Sequence, residues 1–479
     1  MSESKVIAVD LDGTLTLTDT LHEAIILLVR TKPYLLLMLP IWLIKGITYL
    51  KIKVAEHSEI DVTTLPYNQS LIDWLREEKL KGKEIILSTA ANQKVAQAVV
   101  SHIDLFDKFI ASDSQTNLKS ANKRNALQER YGDKGYDYVG NSSADLKVWA
   151  GAANAILVNV SASVSKKASQ IASVTRIFPS DRAGTAVWIK ALRIHQWLKN
   201  LLLFVPLLAA HQFGNIKSLS VLIIAFFSFC LCASAVYITN DLFDLESDRI
   251  HPRKRFRPFA SGRLPIFYGI ALAPLLIGLS IALGIIVGPE FLTILMLYLS
   301  LTLTYSFVLK RLVLIDCLTL ATLYTVRIIA GATAVSVPLS FWLLAFSIFI
   351  FLSLALVKRY AELIVLSREE KNVVQGRGYL VSDASLVQTL GISSGYISAL
   401  VIALYLHSED VASLYYPPLA IWTSIPILLF WISWVWLKSA RGEMHDDPIV
   451  FAAKDKASLS VAAITATVFI YAAIGADFL

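Results

Sequence analysis

The sequence predicts two architectures in one chain: an N-terminal α/β unit on a parallel sheet, then an all-α membrane bundle of nine transmembrane helices. Three observations carry this reading. Hydrophobic residues make up 55% of the 479 and charged residues 17%, against about 45–50% and about 25% in a soluble globular domain. The composition changes near residue 185, from mixed to a succession of long apolar runs. The loops between those runs also alternate in Lys and Arg content. A single soluble globule and a disordered chain are both excluded. The net charge of +7 fits basic loops on one membrane face, so no nucleic-acid partner is expected. Cys230, Cys232 and Cys317 lie in apolar runs and show neither a disulfide framework nor metal-ligand spacing. The opening MSESKVIAVDLDGTL lacks a basic n-region and a cleavage site, so it is not read as a signal peptide.

The domains follow as 1–180, a linker over 181–190 and a membrane domain over 191–479. In the first, KVIAV (5–9) is a short apolar strand with Asp10-Leu-Asp12-Gly-Thr-Leu directly behind it. Two carboxylates at a strand's end suit phosphoryl chemistry: one attacks phosphorus, the other protonates the leaving group and later activates water. Gly13 permits the sharp turn. A second strand, EIILSTA (84–90), ends in Ser88 and Thr89, hydroxyls able to bind phosphate. Lys119 and Lys123 follow, and a strand YDYVG (136–140) leads into Asn141-Ser-Ser-Ala-Asp145. Strands alternating with helical stretches imply a parallel sheet with its site at the carboxyl ends. An insertion over about 20–70 reads as a cap. Its segment YLLLMLPIWLI (34–44) is too short to span and suits an interfacial position or a buried cap helix.

These residues in this order resemble the haloacid dehalogenase (HAD) superfamily of aspartyl phosphatases. The resemblance covers about 1–180. It implies Asp10 as nucleophile, Asp12 as general acid and base, Thr89 or Ser88 as phosphate ligand, and Lys123 as charge neutraliser. It also implies a magnesium site of Asp10, Asp12 and Asp145. One departure stands out: where the fourth motif commonly reads GDxxxD, this chain reads GNSSAD, and Asn141 removes one charge from the site. The alternative is a phosphate-binding or scaffolding domain without hydrolysis.

In the membrane domain nine apolar runs are long enough to cross about 30 Å of hydrocarbon. They are 194–210, 218–240, 266–287, 291–309, 312–336, 339–357, 386–406, 417–437 and 458–478. The loops after the even-numbered runs hold Lys or Arg at 249, 253, 254, 255, 257 and 263, at 310 and 311, at 358, 359, 368, 371 and 377, and at 438, 441, 454 and 456. Those after the odd-numbered runs hold Lys217. The asymmetry places the basic loops and the N-terminal domain in the cytoplasm and the C-terminus on the opposite side.

The second run ends in Asn240-Asp241-Leu-Phe-Asp244-Leu-Glu-Ser-Asp248. The three aspartates fall at i, i+3 and i+7, one helix face, where mutual repulsion is relieved by divalent cations. Magnesium in turn points to a diphosphate ligand. The loop Arg249-Ile-His-Pro-Arg253-Lys254-Arg255-Phe-Arg257-Pro follows, and an acidic set backed by a basic one suits a metal-plus-arginine clamp on phosphates. Further along, Tyr305 and Lys310 end run four. Asp316 and Arg327 lie eleven residues apart on one face of run five, as a second substrate motif or a structural brace. Charge inside an apolar run normally points into a bundle or cavity. His445, in the loop Arg441-Gly-Glu-Met-His-Asp446-Asp447, invites a metal role, but a mixed-charge loop accounts for it; the loop would close over the site.

NDxxDxxxD followed by a basic RP segment in a nine-helix bundle resembles the UbiA superfamily of membrane transferases, over about 190–479. The aromatic prenyltransferases of that family typically continue DxxNxRTxxRPL. Here the text is DRIHPRKRFRPFASG, similar to the decaprenyl-phosphate phosphoribosyltransferase branch. Arg193-Ile-His-Gln-Trp-Leu-Lys199-Asn200 and Lys358-Arg359-Tyr-Ala-Glu362-Leu are also similar to that branch. The resemblance implies transfer of 5-phosphoribose from phosphoribosyl diphosphate (PRPP) to a polyprenyl phosphate. Magnesium would sit on Asp241, Asp244 and Asp248 with Asn240 assisting. Arg253, Lys254, Arg255 and Arg257 would neutralise phosphates, and Lys199, Tyr305, Lys310, Arg327, Lys358 and Arg359 would bind substrate. The fused HAD domain would then dephosphorylate the lipid product. Two alternatives remain: an aromatic prenyltransferase using a prenyl diphosphate, and a non-catalytic membrane phosphate-binding protein. Oligomerisation is left open.

Overall fold

The computed structural model describes residues 5–112, 118–179, 184–212, 214–368, 377–406, 421–444 and 447–477. Lys371, His445, Asp446 and the start of the run at 417–437 lie outside the described residues. The chain forms two compact units. The first is Met1–Leu192 together with Tyr237–Ala273; the second is Arg193–Val236 together with Pro274–Leu479.

The first unit holds a six-stranded parallel sheet. Its strands are β1 (Val6–Val9), β2 (Glu84–Asn92), β3 (Lys108–Ser112), β4 (Asp137–Gly140), β5 (Asn154–Val158) and β6 (Ser173–Phe178). They lie in the order β3-β2-β1-β4-β5-β6. Each of the four residues of β1 is buried, as a strand covered on both faces requires. One face packs Ile7, Val9, Ile85 and Leu87 against Leu71, Leu75 and Phe178. The other packs Ala8, Ile86 and Tyr138 against Leu127 and Trp149. Strand order turns at β1, between β2 and β4, and at such a switch point ligands bind beyond the carboxyl ends. Asp10 and Asp12 follow β1 at that place. The insertion is helical: Thr20–Thr31, a 3-10 turn Pro33–Met38, Leu39–Ile44 and Ile47–His57. Asp19 caps the first of these by accepting from the Leu21 and His22 amides. A helix Thr185–Leu192 occupies much of the stretch read as a linker.

Among the described residues, six helices are long and apolar enough to cross a membrane: Ile216–Phe243, Ile266–Val287, Pro289–Phe307, Ile315–Ala334, Phe341–Arg368 and Val381–Leu406. The protein is an integral membrane protein. Of the nine spans expected, these are six among the described residues. The run at 194–210 is not one helix but a 3-10 segment Ile194–Phe204 and a five-residue helix Val205–Ala209 with Pro206 at its start. The last two runs give Ser424–Ala440, of 17 residues, and Lys456–Asp477, of 22 residues with side chains described to Ala472. At 1.5 Å per residue the first is about 25 Å long, short of the hydrocarbon thickness, and the second about 33 Å. Apolar length read from sequence counts residues whether or not they share one helical axis, and that is why the run at 194–210 was read as a span.

Candidate functional site

In the first unit, Asp10 and Asp12 sit in the tight turn after β1. Gly13 has φ +73°, and a Cβ there would come within 2.0 Å of the Asn141 side chain. The amide that replaces an acid therefore lies against the aspartate turn. Lys123, in the first turn of Ala121–Tyr131, donates to Asp10 Oδ1 at 2.7 Å and to the Tyr138 hydroxyl at 3.0 Å. Tyr138 donates to Asp145 Oδ1 at 3.0 Å. One buried network thus joins Asp10, Lys123, Tyr138 and Asp145. Asp145 Oδ2 accepts from the Asn141 and Ser142 amides and the Ser142 hydroxyl. Its Oδ2 is committed to shaping the 140–145 turn.

Burial pushes the Asp10 carboxyl up to about 6; Lys123 opposes the rise and Asp145 adds to it. Asp12 is pushed up to about 7, by burial first and then by the Asp19 and Asp10 carboxylates, while its bond from the Thr20 amide at 2.8 Å opposes the rise. A buried carboxylate held by a lysine and a partly buried one facing further acids form a donor set that a divalent cation would suit. The Thr14 and Ser88 hydroxyls are buried with no hydrogen-bond partner among the described residues, which fits a missing acceptor such as phosphate. Thr89 accepts from the Ala91 amide at 2.9 Å. Lys119 is exposed. The sequence reading missed Tyr138 and Lys51. Lys51, from the insertion, donates to the Ala90 carbonyl at 2.7 Å beside Thr89.

The same unit contains the aspartate-rich segment. The helix Ile216–Phe243 stops at Asp244, and Leu245–Ile250 continues as a short helix. Asp241 and Asp248 are buried and share Arg257, whose Nη1 lies 3.2 Å from one and 2.6 Å from the other. Burial raises the Asp248 pKa, Arg257 opposes the rise, and Asp241 adds to it. Asn240 and Asp244 are partly buried; Arg253, Lys254 and Arg255 are exposed. Among the described residues no group of three or more His, Cys, Asp or Glu side chains is gathered in a metal-holding arrangement. The charge that magnesium was expected to bring between Asp241 and Asp248 is supplied here by Arg257. The pair still suits a divalent cation by its chemistry: two carboxylates in a buried place that requires a counter-charge.

In the second unit the polar side chains fall into three groups. Lys199 and Lys358 meet on Asp447 Oδ2, at 2.8 and 3.4 Å, with the Tyr324 hydroxyl 3.5 Å from its other oxygen. The two lysines hold the Asp447 carboxyl well below the usual range, against its burial. Arg327 is bound to Asn200 Oδ1 at 2.9 Å and to the Tyr298 hydroxyl at 2.8 Å, with Tyr324 beside it. Asp316 takes Arg359 at 2.7 Å, Arg377 at 3.5 Å and the Tyr379 hydroxyl at 2.6 Å; Arg359 also pairs with Glu362. The Asp316–Arg327 brace therefore does not form; each finds its partners on other elements. Lys310, in the 3-10 turn Leu309–Arg311, and Tyr305 are partly buried. Asp447, Arg377 and Tyr379 were missed because Lys199 and Asp316, which they meet, are 61 to 248 residues away.

Known proteins resemble the chain over both parts. Uncharacterized protein y4nM of Sinorhizobium fredii is 36% identical over 466 residues, 97% of this chain and 90% of that protein. Nodulation protein NoeC of Azorhizobium caulinodans is 37% identical over 272 residues, 57% of this chain and 88% of that protein. Decaprenyl-phosphate phosphoribosyltransferase of Corynebacterium glutamicum is 40% identical over 184 residues, 38% of this chain and 55% of that protein. Residues 201–453 match the UbiA prenyltransferase family. With its apolar spans and the aspartate-rich segment beyond one of them, the chain is a membrane transferase belonging to the UbiA prenyltransferase family.

Proposed function

We propose that the chain transfers 5-phosphoribose from PRPP to a polyprenyl phosphate, and that its N-terminal unit is a HAD-type phosphatase acting on the phosphorylated lipid. The observation that carries the transferase reading is the buried Asp241–Asp248 pair with Arg257, set in DRIHPRKRFRP. The 40% identity over 184 residues to a decaprenyl-phosphate phosphoribosyltransferase supports the substrate class. Asp241, Asp244 and Asp248, with Asn240, would hold magnesium, which supplies charge stabilisation to a departing diphosphate. Arg257 would exchange its carboxylates for phosphate oxygens, with Arg253, Lys254 and Arg255 adding charge from the loop. The C1–oxygen bond to diphosphate breaks as a phosphate oxygen of the lipid bonds to C1. No strong protein base is needed, because the acceptor is already an anion. Lys199 and Lys358 already share one carboxylate, Asp447, and would share the acceptor phosphate in the same way. Tyr305, Lys310, Arg327 and Arg359 would position it. The basic loops and the N-terminal unit are assigned to the cytoplasmic face.

In the phosphatase, Asp10 would attack phosphorus while Asp12, a carboxyl titrating near 7, protonates the leaving oxygen and then takes a proton from water. Thr14, Ser88 or Thr89 and Lys123 would hold the phosphate. Asp10 and Asp12, steadied by Asp145, would hold magnesium. The family also favours a second reading, a prenyl diphosphate donor and an aromatic acceptor. Purified protein given magnesium, radiolabelled PRPP and polyprenyl phosphate should place label in the organic phase. The 5-phosphate should then be lost only when Asp10 is intact. No labelled lipid from folded protein would reject the phosphoribosyl reading in favour of prenyl transfer.

A further inference from the structure

We propose that residues 33–57 of the insertion seat in the bilayer surface and present Lys51 over the phosphatase site to a lipid-borne phosphomonoester. The choice of substrate rests on the phosphatase reading above; the seating does not. The segment is amphipathic in three dimensions. Trp42, Leu50 and Val54 turn inward and pack with Ala24 and Leu28. Leu37 and Ile44 are 79% and 86% exposed, and Tyr34, Leu36, Ile41 and Leu43 are exposed beside them. So many large apolar side chains on one short stretch call for a cover.

Two observations identify the cover as lipid. From residue 30 to residue 57 the chain carries Arg30, Lys32, Lys45, Lys51 and Lys53 against one acid, Glu56, which pairs with Lys53 at 2.7 Å. Exposed apolar residues flanked by an excess of cations match an anionic bilayer interface. The segment also starts at the right level. Arg30 Nη1 donates to the carbonyl of Phe243 at 3.2 Å and to Glu246 at 3.1 Å. Phe243 is the last residue of the spanning helix Ile216–Phe243, so the segment begins where a spanning helix ends. From the same segment, Lys51 reaches the Ala90 carbonyl beside Thr89, and its electrostatic neighbours are Asp12, Asp19, Lys119 and Lys123. One stretch thus offers its apolar side to a lipid chain and an ammonium group to the headgroup.

The test uses the full chain in phosphatidylcholine nanodiscs carrying phosphatidic acid. Leu37→Cys and Ile44→Cys, labelled with an environment-sensitive dye, should be quenched by spin-labelled lipid, and Leu80→Cys, on an 89% exposed control position, should not. Equal quenching at all three would overturn the seating. Lys51→Gln should raise KM for phosphatidic acid about ten-fold, one charge-assisted contact, with kcat nearly unchanged. An unchanged KM, or a loss confined to kcat, would overturn the role of Lys51. Leu37→Glu with Ile44→Glu should slow hydrolysis of phosphatidic acid but not of a soluble aryl phosphate; equal loss on both esters would also overturn the proposal. If the unsubstituted chain hydrolyses neither ester, the phosphatase reading falls, taking the role of Lys51 with it, while the dye labels still decide the seating.

Discussion

Asp12 is a carboxyl whose burial and acidic neighbours raise its pKa from 3.8 to about 7. A raised carboxyl contributes stability below its unfolded value, near pH 4, and loses it as pH climbs through 7. Asp12→Asn removes that slope. Without metal, the variant should therefore be more stable than the parent at pH 8, by roughly 3–4 kcal/mol at most, and close to it at pH 4. Thermal unfolding in detergent with a chelator, at both pH values, checks this. Arg257 bears the opposite relation to its carboxylates. Arg257→Met strands Asp241 and Asp248 without their cation, so magnesium should half-saturate at a lower concentration while transfer slows by at least about ten-fold. A rise in the magnesium requirement would count against metal binding there. Both aspartate sets were legible as sequence motifs because their members are neighbours in the chain. Arg257 was read as a loop cation that neutralises phosphates; its place between two buried acids depends on how the loop 251–257 turns back.

Elements were legible wherever one pattern filled them. The strands expected at 5–9, 84–90 and 136–140 are Val6–Val9, Glu84–Asn92 and Asp137–Gly140, since a short apolar run beside a chemical motif has few other ways to fold. The first apolar run misled because hydropathy does not register a 3-10 winding. Its packing is read from a glycine instead. A Cβ on Gly331, in Ile315–Ala334, would meet the Leu203 backbone carbonyl at 2.0 Å, so the helix and the 3-10 segment touch at backbone distance. Gly278, inside Ile266–Val287, has nothing within 4 Å. Gly331→Ala should thus destabilise by about 1–3 kcal/mol, whereas Gly278→Ala should be neutral or stabilising by up to about 1 kcal/mol. Comparing the unfolding midpoints of the two variants in one detergent separates crowding from helix propensity; equal shifts would mean that the contact yields.

At the scale of the molecule, the change of composition near 185 located the α/β unit but not its full extent, because residues 237–273 join the N-terminal unit. That association could not be read in advance: its central pair, Glu23 and Arg249, is 226 residues apart and belongs to no shared period. The pair is buried, with 2.5 Å between Arg249 Nη2 and Glu23 Oε1. Glu23 also accepts from Thr18 at 2.8 Å, and the Thr18 carbonyl accepts from the Gly13 amide at 3.1 Å. Arg249 follows Asp248 directly and donates to the Ala260 carbonyl at 3.0 Å. Gly262, with φ +71°, passes so close to Leu17 that a Cβ would lie 2.5 Å from its side chain. The turn bearing Asp10 and Asp12 is thus linked by hydrogen bonds to the segment bearing Asp241 and Asp248. Removing one partner of a buried pair leaves the other without a counter-charge, so Glu23→Gln and Arg249→Met should each cost about 3 kcal/mol, and the double variant clearly less than their sum. If the link positions the aspartate-rich segment, Glu23→Gln will also slow the proposed phosphoribosyl transfer several-fold, although Glu23 lies outside the aspartate-rich motif. Transfer at the parental rate, with the proposed phosphatase activity alone reduced, would show that the pair serves only the α/β unit.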